Sequence, residues 1–188
     1  MREKAIVVLN QYFVTYSTQH ASHVALVTPL LEIFDSQPPR GPVMVSMFNR
    51  LMSILPGNGP ARAGSLAVAR EAVKHLKFDD EELYLFLEGL LKKAIDQQTE
   101  LRSMNLTYRD IAEFREIGTF LVPWVDTCFI GYLRKAAAAF IWDQCFLTGW
   151  DVQFPIFVSD VLRASRDDLL TVKNAYELQR IIKISGRN

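Results

Sequence analysis

The chain has 188 residues, 49% of them hydrophobic and 22% charged, which excludes a disordered or fibrous polypeptide and suffices for one domain with its own core. Lys plus Arg and Asp plus Glu balance at 21 each, so there is no overall electrostatic pull toward nucleic acid or anionic lipid. Asp126 and Asp143 interrupt the best apolar runs, which fall short of the roughly 18 residues a membrane span needs.

REKAIVVLNQYFVTYS places Ile6, Leu9, Phe13 and Tyr16 at spacings of three and four, which predicts a first helix. The chain opens Met-Arg-Glu-Lys and runs straight into this segment without the layout of a signal peptide, so a cytoplasmic protein is expected. A second helix is predicted from Ser22 to Phe34, with Ser22 as its cap; Pro29 inside it implies a late start or a bend. SQPPRGP, Ser36 to Pro42, reads as a loop. VMVSMFNRLMSIL follows as a third helix, stopped by the prolines and glycines of Pro56 to Pro60. Gly59 to Ser65 has the outline of a phosphate loop but lacks the Lys before Ser65 and a preceding strand; Ser65 reads instead as the N-cap of SLAVAREAVKHL.

The longest helix is predicted to open at Asp79-Asp80-Glu81-Glu82, where Asp79 and Glu82 have capping-box spacing and the acids complement the helix dipole. Asn105 to Thr107 marks a break, and YRDIAEFREIG reads as a short polar helix. Beyond Thr119 two apolar helices are predicted, Val122 to Leu133 with Pro123 in its first turn, and Lys135 to Leu147 closed by Gly149. VQFPIFVSDVLRAS gives another helix, bent or begun at Pro155, and residues 167–184 carry one or two more. Eight or nine helices and no strand predict an all-α fold in one domain.

The chemistry-bearing residues assemble no recognisable enzyme. His20 and His23 are three apart, a spacing that suits one helix face, but no nearby Cys, Asp or Glu completes a metal set. His75 stands alone, and no Ser/His/Asp arrangement, dinucleotide fingerprint or nucleophile elbow is present. No cofactor or metal is expected. Cys128 and Cys145 lie in apolar segments and read as two buried reduced thiols.

The informative stretch is FIWDQCFLTGW, Phe140 to Trp150. Trp142 shares a helical face with Phe146 near Ala138 and Ala139, so its ring is expected to be buried against small neighbours. Asp143 is expected to be tied down by a backbone amide, an Arg or another indole. Taken with Trp124, Phe129, Leu133 and Gly149, the spacing resembles the C-terminal half of TBC domains, the all-helical modules of Rab GTPase-activating proteins. The resemblance is best over residues 119–165, and the whole chain, 1–188, would be one TBC-like domain lacking the family's N-terminal part.

That resemblance implies a Rab-like small GTPase as partner, with recruitment to membranes through it. It also implies two residues supplied in trans, an Arg from Ile-x-x-Asp-x-x-Arg and a Gln. Gln19 is the candidate Gln, one residue further from Tyr16 than in the family and followed by His20 instead of Gly. The Arg motif should precede Met1; Phe157 to Arg163 mimics it at the wrong end of the fold, and Arg134 stands where the family often has Pro. A TBC-like domain that has lost catalysis and a chain truncated at its N-terminus both account for this. The leading expectation is a GTPase-binding or regulatory module with little or no GAP activity. An active Rab GAP and a helical scaffold unrelated to GTPases remain as alternatives. The TBC reading further expects the helices bearing Trp124 and Trp142 to form an antiparallel pair, with the segment after Trp150 returning over them.

Overall fold

The computed structural model describes residues 2–17, 19–20, 22–33, 41–56, 64–101 and 116–184. Ten helices are formed among them and no strand, so the all-α class holds. They are α1 (Arg2–Tyr16), α2 (His23–Ile33), α3 (Gly41–Ile54), α4 (Ser65–Asp79), α5 (Glu81–Leu101), α6 (Ile117–Thr127), α7 (Lys135–Thr148), α8 (Trp150–Ala164), α9 (Arg166–Leu170) and α10 (Ala175–Ile184).

Helix α4 is the pivot of the fold. Its inward positions Ala69, Ala72 and Leu76 are fully buried at a three- and four-residue spacing. Two of the three are alanines, so α6 and α8 can both lie close against it. Helices α1, α2 and α3 form a second packing group around Tyr12, His23 and Phe48, whose rings meet edge-on at 5.0 to 5.7 Å between centroids. One continuous apolar core joins both groups. Contacts between non-consecutive helices, α1 with α3 and α4 with α8, differ from the neighbour-only stacking of a solenoid.

Several predicted boundaries shift, each for a local reason. Asp80, not Asp79, starts α5: its carboxylate accepts the Leu83 N–H at 3.1 Å, while Asp79 closes α4. Ser65 is the first helical residue of α4 after Gly64; its hydroxyl donates to the Asp126 carboxylate and ties α4 to α6. Gly41 and Pro42 belong to α3, where Pro42 sits in the first turn and needs no N–H partner. The rest of SQPPRGP, Asn105 to Thr107 and most of YRDIAEFREIG lie outside the described residues. Pro155 neither begins nor precedes a helix; α8 already starts at Trp150.

The largest shift concerns the predicted helix from Val122 to Leu133. The helix runs instead from Ile117 to Thr127, which puts Pro123 in its middle. It stops because Cys128 and Phe129 both take positive φ, +47° and +66°. The Phe129 N–H then reaches back to the Trp124 carbonyl at 2.9 Å, satisfying a carbonyl at the helix end. Left-handed backbone costs a non-glycine residue about 1–2 kcal/mol. Here both side chains are fully buried, and their packing offsets that cost. Gly149 does close α7 as expected; its φ of +105° and ψ of 130° suit only glycine, and its carbonyl accepts the Gln153 N–H of α8 at 3.1 Å.

His23 supplies a pH-dependent contribution to stability. It is only 7% exposed, and its basicity is lowered by burial and then by the neighbouring His20. The unfolded chain therefore binds the proton more readily, so stability is complete above the ordinary value of about 6.5 and declines as pH falls below it toward the depressed folded value. Urea midpoints measured through this window should drop on acidification, and His23→Phe should flatten that part of the profile.

Candidate functional site

Three of the residues singled out by the resemblance, Trp124, Phe129 and Trp142, lie on one aromatic chain. Trp124 and Phe129, Phe129 and Phe154, and Phe154 and Trp150 follow one another with ring centroids 5.4 Å apart. Trp150 then meets Trp142 edge-on at 5.6 Å, and Phe146 packs against both at 5.4 and 6.2 Å. Two of the three indoles are anchored to backbone. Trp124 Nε1 donates to the Ile182 carbonyl of α10 at 3.0 Å, and Trp142 Nε1 donates to the Cys128 carbonyl at 2.9 Å. The second bond explains why a Trp is useful in α7: it holds the end of α6 through the one polar atom of its ring.

The predicted antiparallel pairing of α6 and α7 is not formed. Helix α6 lies chiefly against α4 and α7 against α8; what joins α6 to α7 is the turn from Cys128 to Arg134 with the Trp142 indole across it. Helix α8 does return over both. Asp143 also departs from expectation. Its side chain is exposed, has no hydrogen-bond or ion-pair partner among the described residues, and accepts from no indole. Its position in α7 therefore entails no buried charge, and the acid is available to solvent or to a partner.

Beside the aromatic chain lies an open groove of about 540 Å³ between α2 and α7. Pro29 and Thr28 form one wall, Leu133, Ala139, Trp142 and Phe146 the other, and Asp143 stands on the rim. Lys135 bridges to Glu32 across it, but the lysine side chain is 80% exposed, so the ion pair contributes little. The α7 wall was legible from the Trp142 and Phe146 spacing. The α2 wall was not, because nothing in the sequence links Pro29 to a helix more than a hundred residues later.

Gln19 is exposed in the connection between α1 and α2. His20 lies before α2 rather than on its face, and its Nδ1 is 2.7 Å from the Ser22 hydroxyl. Three arginines face carboxylates: Arg70 grips Glu116 through two hydrogen bonds, Arg163 meets Asp160 and Asp79, and Arg166 holds Asp80 and Glu82. Both cysteines are buried and unbridged; burial pushes the Cys145 thiol up to about 12 and Cys128 well above the ordinary range. No helix among the described residues is long and apolar enough to cross a membrane. Among known proteins, no family model, curated protein or solved structure matches the chain.

Proposed function

We propose that the chain is a TBC-like protein-binding module that engages a Rab-type small GTPase and accelerates its hydrolysis little or not at all. The observation that carries this reading is the single packed chain of rings that joins Trp124, Phe129 and Trp142, three of the residues on which the resemblance rests, although the helices bearing the two indoles do not form the antiparallel pair it implies. The groove beside it offers an apolar floor and a free carboxylate at its rim, suited to a partner surface of apolar side chains with a basic residue. Gln19 is exposed to a partner; Arg70, Arg163 and Arg166 are held by acids of the chain itself, while Arg50, Arg134 and Arg180 are exposed.

A panel of GTP-loaded small GTPases, scored for both affinity and phosphate release, separates the alternatives. The expected result is binding of a Rab-type member with hydrolysis close to its intrinsic rate and unaffected by Gln19→Ala. An arginine supplied in trans is worth about 10³–10⁵ in rate, so an active GAP would stand out clearly. Strong stimulation that Gln19→Ala abolishes would establish that activity. Absence of binding across the panel would leave the helical scaffold.

A further inference from the structure

Helix α1 turns an apolar face to solvent that is symmetric about one residue. Ile6 and Val7 lie four and three positions before Asn10, and Phe13 and Val14 lie three and four after it. These four side chains are 49%, 60%, 48% and 80% exposed, although Val8 and Tyr12 on the opposite side are buried against α2 and α3. At 100° per residue Asn10 sits on the midline of the exposed face, Ile6 and Phe13 form one flank, and Val7 and Val14 form the other.

We propose that this face is the interface of a homodimer in which two α1 helices pack antiparallel across a two-fold axis at Asn10. Under that rotation Ile6 meets Phe13 of the second copy, Val7 meets Val14, and the two Asn10 amides face each other, so one patch is its own complement. A central Asn pair among apolar contacts sets register, as it does in coiled coils. Charge selects the orientation. A parallel pair would place Glu3 against Glu3 of the other copy, whereas the antiparallel pair places it near Ser17 and opposes the helix dipoles. Four partly exposed apolar side chains and one amide per copy make a smaller patch than the roughly 800 Å² per partner of a standard interface. The dimer is therefore weak and concentration-dependent.

Sedimentation equilibrium of the full chain across a wide concentration range tests this. The wild type should rise toward twice the monomer mass. Asn10→Asp and Asn10→Lys should each remain monomeric alone with unchanged thermal melts, and a mixture of the two should regain the dimer. An equimolar mixture of Ile6→Cys and Phe13→Cys should cross-link between the two variants on mild oxidation. A monomer at every concentration, a dimer indifferent to charge at Asn10, or rapid cross-linking of Ile6→Cys to itself would each overturn the proposal. So would monomers that use this face to bind neutral lipid vesicles.

Discussion

Trp124→Ala should destabilise the protein by about 3–5 kcal/mol, the range for truncating a fully packed Trp. For a chain of this length that lowers Tm by roughly 10 °C. Trp124 is 1% exposed, packs its ring at a tilt against Phe129, and donates to the Ile182 carbonyl at 3.0 Å. Truncation thus removes a large ring from the core and also leaves a buried carbonyl of α10 without its donor. Trp124→Phe separates these contributions. It retains most of the ring contact and loses the hydrogen bond, so about 1–2 kcal/mol should remain as the cost of the orphaned acceptor. Urea unfolding gives the magnitudes. Amide exchange locates the effect: with Phe at this position, α10 should exchange faster while α4 is little changed, because α10 is the element that the indole tethers.

Helix identity was legible because apolar residues recur at helical spacing in nearly every segment. Helix ends were less so where they depend on conformations with no sequence signature. Gly149 announced its positive φ; Cys128 and Phe129, which stop α6 in the same half of the backbone map, did not, because only tertiary packing keeps them there. Asp79 has the capping-box spacing to Glu82, yet Asp80 is the cap, and that choice is reinforced by Arg166, which reaches it from α9 at 3.0 Å. Trp142 and Ala138 are buried as their spacing implies, but Phe146 and Ala139, expected beside them, are exposed. Asp143 is exposed although it neighbours a buried Trp, because one residue along a helix is a rotation of 100°, enough to carry a side chain from core to solvent. Phe154, central to the aromatic chain, carried no signal beyond lying one helical turn from Trp150 and Val158.

Trp142→Ala and Asp143→Asn should dissociate stability from binding at adjacent positions. Trp142 is 8% exposed, meets Trp150 edge-on, walls the groove and donates to the Cys128 carbonyl. Its truncation should cost about 2–4 kcal/mol, less than at Trp124 because one side of the ring already borders open space. It should also abolish binding of the GTPase identified by the panel, since the wall of the groove and the anchor of the 128–134 turn are lost together. Trp142→Phe should recover most of the stability but not the hold on Cys128. Asp143 touches none of these contacts, so Asp143→Asn should leave stability within about 0.5 kcal/mol. Its charge stands at the rim, where it acts on encounter with a basic partner; neutralising it should lower affinity several-fold, chiefly through the association rate, and weaken the salt dependence. Stopped-flow association at low and high salt reads both effects. If Asp143→Asn binds as the wild type does at low salt, the partner approaches by another face, and the α2–α7 groove is not its docking site.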